Sequence, residues 1–95
     1  MIRIKEKELK EYVKNFDRKN IKLIVTGPIE AESQLSSVSI SYDYRRGFLK
    51  IKSKENKISI NMVSVEGMHI TEDYKRLEIR LEDLFDTEIH IIEQE

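Results

Sequence analysis

The sequence predicts a single α+β domain over residues 1–95, in which an N-terminal helix is followed by six or seven antiparallel strands. Apolar residues recur at helical spacing near the N-terminus, and they alternate with polar residues over most of the remaining chain. The sequence has no βαβ rhythm and no internal repeat. A meander of this kind forms a strongly bent sheet or a small open barrel with the helix packed on it.

The helix is predicted from about residue 5 to residue 18. Four apolar side chains fall at positions i, i+3, i+4 and i+7 and form one stripe, namely Leu9, Tyr12, Val13 and Phe16. Residues 2–4 form a short extended lead-in, and residues 21–26 form a strand that ends at the Gly27-Pro28 pair. Residues 29–35 show no clear period, which indicates a loop.

Two tight hairpins are predicted over residues 37–65, where apolar and polar residues alternate. A slip of one residue would turn every buried side chain outward, so the pattern selects a register. In the first hairpin, Ile40 lies opposite Ile51, and Gly47 serves as the turn residue with positive φ. In the second hairpin, Leu49 lies opposite Met62, and Asn56 takes the left-handed conformation of a two-residue loop.

The final third of the chain is predicted to add three strands. Residues 68–71 pair with residues 77–81, and Leu84 and Phe85 in the following turn cap the core. Residues 87–92 form the last strand. This strand is predicted to be a sheet edge, which leaves room for a homodimer that pairs through it.

Composition narrows the class of protein. The chain contains no Cys, which excludes disulfides, thiolate chemistry and zinc sites built on sulfur. Residues 1–12 lack the apolar run of a signal peptide, and no apolar segment approaches the ~20 residues that span a bilayer. A cytoplasmic protein is therefore expected.

Charge is unevenly distributed along the chain. Residues 1–65 contain 14 Lys and Arg against 8 Asp and Glu, a net charge of +6, whereas residues 66–95 contain 3 against 10, a net charge of −7. This asymmetry predicts either a basic and an acidic surface patch, or neighbouring strands that exchange charges across the sheet. The second interpretation is the simpler one, and it carries no functional meaning.

The sequence does not predict an enzyme, a cofactor or a metal site. Nucleophile elbows, phosphate-binding glycine loops and H-E-x-x-H motifs are all missing. His69 and His90 are the two histidines, and both fall on predicted strands. Glu88 and His90 share a strand face and need a third ligand, from Glu78 or Glu82, before they resemble a metal site, so the signal is weak.

The predicted function is that of a small non-enzymatic interaction or regulatory protein that acts through protein–protein contacts. A phage or mobile-element inhibitor of a host complex is one form that fits. Arg and aromatic residues at a hairpin tip are typical anchors for a protein partner, and the acidic final third offers charges. The predicted partner-binding residues are Tyr44, Arg45, Arg46, Phe48, Glu78, Glu82 and Glu88.

The alternative function is a nucleic-acid-binding module that uses the Lys/Arg face of residues 45–57. Serines beside lysines on one strand face can receive phosphates, and Phe48 on the polar face is a candidate for stacking on a base. The residues predicted for this role are Arg45, Arg46, Lys50, Lys52 and Lys54. An ordinary solvated sheet face explains the same lysines.

Overall fold

The computed structural model describes residues 1–82 and 84–94, which form one short α-helix, one 3-10 turn and nine strands in two antiparallel sheets. The predicted α+β class is confirmed. The elements are β1 (Ile2–Ile4), α1 (Glu6–Tyr12), a 3-10 turn (Val13–Phe16), β2 (Asn20–Thr26), β3 (Ala31–Leu35), β4 (Ser39–Asp43), β5 (Phe48–Lys52), β6 (Lys57–Asn61), β7 (Val65–Ile70), β8 (Arg76–Leu81) and β9 (Glu88–Gln94).

The sheet topology differs from the predicted meander. One sheet has six strands in the order β1-β7-β8-β9-β2-β3, and the other has three in the order β4-β5-β6. The predicted count of six or seven strands in one bent sheet is therefore wrong, and neither sheet closes into a barrel. The physical reason is long-range pairing, because strands from the first third of the chain complete a sheet with strands from the last third.

One hydrophobic core lies between the two sheets and the helical segment. The alternation predicted in the strands turns one face of each sheet toward this core. In the helical segment, Leu9, Val13 and Phe16 are fully buried, as the apolar stripe predicts. Hydrogen bonds then fix the segment to β4, since the Arg18 N–H donates to the Val38 carbonyl (2.6 Å) and the Ile40 N–H donates to Asp17 Oδ1 (3.1 Å).

The two central hairpins test the predicted registers. In the first, Ile40 lies opposite Ile51 and Gly47 has φ +71°, as predicted. The second register is wrong by two residues, because Leu49 lies opposite Ile60 rather than Met62. The Ser53 N–H donates to the Asn56 carbonyl (2.8 Å) and closes the turn one residue earlier than predicted. A shift of two residues preserves parity, so the same face stays buried.

Two other predictions about strands are wrong. Residues 29–35 are not a loop throughout, because Ala31–Leu35 is β3, which pairs with β2 and exposes most of its side chains. Such a strand shows no alternation because both of its faces contact water. The last strand is not an edge either, since β9 lies between β8 and β2, and β1 and β3 are the edges of that sheet. Backbone pairing of a second chain along β9 is therefore blocked.

Candidate functional site

Four connections meet side by side at one end of the molecule, here called the loop end and defined as residues 27–30, 44–47, 62–64 and 84–87. The Met62 N–H donates to the Gly47 carbonyl (2.7 Å), which joins the β4–β5 turn to the β6–β7 connection. The Glu82 N–H donates to the Ser64 carbonyl (2.6 Å). A Cβ placed on Gly27 would lie 3.3 Å from Thr87 Oγ1, so the β2–β3 and β8–β9 connections also touch.

Large apolar side chains are exposed at the loop end. Exposure ranges from 59% for Phe85 to 94% for Leu84, and the full set is Ile29, Tyr44, Val63, Leu84 and Phe85. Among the described residues, the other exposed side chains of this kind are Met1 and Tyr74 at the opposite end. Single exposed apolar residues are ordinary on a protein surface, whereas a group on adjacent loops indicates an interaction surface.

Tyr44 is held against a buried neighbour. Its ring makes an edge-on contact with the Tyr42 ring, with centroids 6.4 Å apart. The Tyr42 phenol donates a hydrogen bond to Glu6 Oε1 at the start of α1. Burial of the phenol, together with this hydrogen bond to a carboxylate, raises the pKa of Tyr42 well above its ordinary value. Tyr42 therefore stays neutral, and it forms a fixed base under the Tyr44 ring.

The structure divides the predicted partner-binding residues between three surfaces. Tyr44, Arg45 and Arg46 are exposed at the loop end, and Glu82, which directly follows β8, adjoins it through the hydrogen bond from its N–H to the Ser64 carbonyl. Phe48 lies half-buried on the outer face of the three-stranded sheet, opposite Asn61. Glu78 and Glu88 lie on the outer face of the six-stranded sheet, on β8 and β9. The set is therefore not one site.

Four residues of the loop end were missed in the sequence: Ile29, Val63, Leu84 and Phe85. Leu84 and Phe85 were expected to cap the core, and both are exposed instead. The sequence does place two of these residues beside turns, because Ile29 follows Gly27-Pro28 and Val63 breaks the alternation of β6. Apolar residues beside turns are either caps or surface anchors, and the sequence alone does not separate the two.

The outer face of the six-stranded sheet carries interleaved charges of both signs. Lys22 Nζ lies 2.9 Å from Glu32 Oε1, and Glu78 Oε1 lies 3.2 Å from Arg76 Nε and 3.3 Å from His90 Nδ1. Within residues 1–82 and 84–94, no group of three or more His, Cys, Asp or Glu side chains is arranged to hold a metal ion. The guanidinium beside Glu78 is in addition a poor neighbour for a bound cation.

The outer face of the three-stranded sheet carries lysines that form no ion pair with any described residue. Lys50 lies between Ser41 and Ser59 on the neighbouring strands, and Lys52 lies between Ser39 and Lys57. Lys54 is exposed in the turn that follows. Across the part of the chain that the structure describes, no ion pair within 4.0 Å forms to any of six cations: Arg45, Arg46, Lys50, Lys52, Lys54 and Lys57.

No protein-family model, no curated protein and no solved structure matches this chain. Neither helical segment in the described ranges is long and apolar enough to cross a lipid bilayer.

Proposed function

We propose that this protein is a non-enzymatic interaction protein that binds a protein partner through the loop end. The observation that carries the proposal is the exposure of five large apolar side chains on four adjacent connections. Burying such side chains in a complex removes apolar area from water, at about 25 cal/mol for each Å². A partner that covers them gains affinity without any change in the fold of this chain.

The composition of the loop end indicates the kind of surface that it fits. Interfaces commonly place aromatic and aliphatic anchors at the centre and charged groups at the rim. Phe85 and Tyr44 supply the aromatic anchors, while Arg45, Arg46 and Glu82 supply the rim. The partner then presents an apolar depression bordered by a carboxylate. Inhibition of a host complex by a phage or mobile-element protein is one regulatory role that such binding supports.

Site-specific photo-crosslinking tests the proposal. A photoreactive amino acid at position 84 in the source cells should capture one protein, whereas the same residue at position 74 should not. Tyr44→Ala should abolish the capture from position 84, and the matched variant Tyr74→Ala should leave it intact, because both tyrosines are exposed and both make one ring contact. Equal adducts from positions 74 and 84, or none from either, would refute the proposal.

The second candidate function is nucleic-acid binding. It is favoured by the six cations on the strands and turns of the three-stranded sheet that form no ion pair within the described residues. Contacts from Lys and Arg to phosphates release counterions that are condensed on the nucleic acid, so affinity should fall steeply with salt. Lys50→Ala and Lys52→Ala should each lower the slope of log K against log salt by about one, and Lys10→Ala on the exposed side of α1 should not. Fluorescence polarisation with labelled single-stranded and duplex oligonucleotides measures this. Failure to bind either oligonucleotide at low salt removes this candidate and leaves the first untouched.

A further inference from the structure

We propose that the outer face of the six-stranded sheet binds the same face of a second copy of this chain, about a two-fold axis that runs parallel to the strands between β8 and β9. This surface is separate from the loop end, and the proposal goes beyond the function suggested above. The register of the sheet fixes which side chains stand in each row across the strands.

The central row of this face contains one residue from each of the six strands. Directly opposite residues in neighbouring antiparallel strands point to the same side of a sheet. The row reads Arg3, His69, Glu78, His90, Ile24 and Glu32 in the strand order β1 to β3. The adjacent row reads Gly67, Arg80, Glu88 and Thr26 from β7 to β2.

A two-fold axis between the third and fourth strands places each row of one copy against the same row of the second copy, in the reverse strand order. In the central row, Arg3 then faces Glu32 of the second copy, and Glu78 faces His90 of the second copy. In the adjacent row, Arg80 faces Glu88 of the second copy. Because the axis passes through the centre of the six-strand order, the overlap of the two faces is also the largest available.

The other in-plane axis, perpendicular to the strands, gives a poor fit. It would place Glu78 on Glu78 of the second copy and Arg80 on Arg76 of the second copy, so that like charges meet. Such contacts cost several kcal/mol in an interface.

Three charges of these rows form no ion pair with the described residues of the same copy. In the described ranges, no ion pair within 4.0 Å forms to Arg3, Arg80 or Glu88, although Arg80 and Glu88 occupy directly opposite positions. A groove of about 360 Å³ lies among these three residues and over Gly67, which has no side chain to fill it. The two-fold brings Thr26 of the second copy over Gly67, so the groove receives a side chain.

The area of the face sets the expected strength of the dimer. Six strands about 4.8 Å apart and about 20 Å long present roughly 550 Å² on each copy. The total of about 1,100 Å² is near the lower limit for a specific interface, so we expect a dimer with a dissociation constant in the micromolar range. Its contacts are ionic at the surface, so added salt should weaken it.

A charge-exchange experiment tests the proposal by sedimentation velocity over a concentration series. Arg80→Glu alone and Glu88→Arg alone should each weaken self-association at least about tenfold, because each places like charges across the two-fold. An equimolar mixture of the two variants should associate, since each charge on one then meets its opposite on the other. Lys57→Glu on the other sheet is the matched control, and it should leave the dimer unchanged.

A second variant covers the case in which a single charge reversal harms folding. The exchange R80E/E88R in one chain retains the cross-strand pair of opposite charges, and it should associate with itself but not with the unaltered protein. A wild-type chain that stays monomeric at every concentration overturns the proposal. So does a dimer that both single variants leave intact, or a mixture of folded single variants that fails to associate.

Discussion

The outer faces of the two sheets differ in how their charged side chains are arranged, although the strands of both sheets show the same alternation of apolar and polar residues. On the six-stranded sheet, charges of opposite sign stand close together, as in the 2.9 Å pair of Lys22 with Glu32 and the contacts of Glu78 with Arg76 and His90. On the three-stranded sheet, Lys52 lies directly opposite Lys57, and among the described residues neither has an ion-pair partner.

This difference separates the two interpretations of the charge asymmetry. Exchange of charges between the basic and the acidic part of the chain is found on the six-stranded sheet, where Lys19, next to β2, lies 2.6 Å (Nζ to Oε1) from Glu93 on the neighbouring strand β9. A basic patch is found on the three-stranded sheet, whose strands all come from the basic half. Facing like charges reduce stability slightly. The three-stranded sheet therefore carries a small cost that its neighbour does not.

Among the variants that test this difference between the sheets, Glu78→Ala is expected to change the free energy of unfolding the most. The substitution removes the carboxylate that lies 3.2 Å from Arg76 Nε and 3.3 Å from His90 Nδ1. Because the buried Nε already has no hydrogen-bond partner among the described residues, this carboxylate is the counter-charge that offsets its burial. The free energy of unfolding should fall by about 1–3 kcal/mol. Lys50→Ala, between two serines on the other sheet, should change it by less than about 0.5 kcal/mol. Urea denaturation with an unchanged m-value measures both.

A matched control separates the role of burial from that of charge. Glu32→Ala removes a carboxylate from the same face, but the Glu32 side chain is 53% exposed, whereas that of Glu78 is 28% exposed. The Glu32 variant should therefore lose less than about 0.5 kcal/mol, as is usual for exposed pairs. If Glu78→Ala and Glu32→Ala lowered the free energy of unfolding equally, the partial burial of Glu78 would add nothing to the contribution of its ion pairs.

The sequence predicted local features of the fold better than its long-range pairing. Alternation correctly assigned the buried face of each central strand, and Gly47 located the first turn. The second turn was misplaced because registers that differ by two residues bury the same face, and Ile58, Ile60 and Met62 are all apolar. The pairing of β2 with β9 joins residues about seventy positions apart, and alternation specifies the face of a strand but not its neighbour.

The same limit applies to the candidate site. Tyr44, Arg45 and Arg46 were predicted because a hairpin tip is exposed wherever the hairpin lies. Ile29, Val63, Leu84 and Phe85 were not predicted, because their exposure depends on which connections meet at one end of the molecule. Glu78 and Glu88 were predicted to lie on a polar strand face, but their separation from the hairpin tip follows from the presence of two sheets.

A smaller effect than that of Glu78→Ala, and of the opposite sign, is expected from Lys57→Glu. This substitution replaces a facing pair of lysines with a pair of opposite charges, which should raise the free energy of unfolding by about 0.2–1 kcal/mol. Lys57→Gln removes the repulsion without adding attraction and should give an intermediate gain. Urea denaturation is the suitable measurement because urea is uncharged, and added salt should reduce each gain.

The double variant K52E/K57E sharpens the test. It restores a pair of like charges with the opposite sign, so it should lose the gain that Lys57→Glu provides. Equal stabilities for all four proteins would mean that the two lysine side chains turn away from each other into solvent, and the comparison between the faces would then concern binding alone. If Lys57→Glu raises stability and also weakens binding of an oligonucleotide, the lysine pair contributes to binding the nucleic acid while it lowers the stability of the fold.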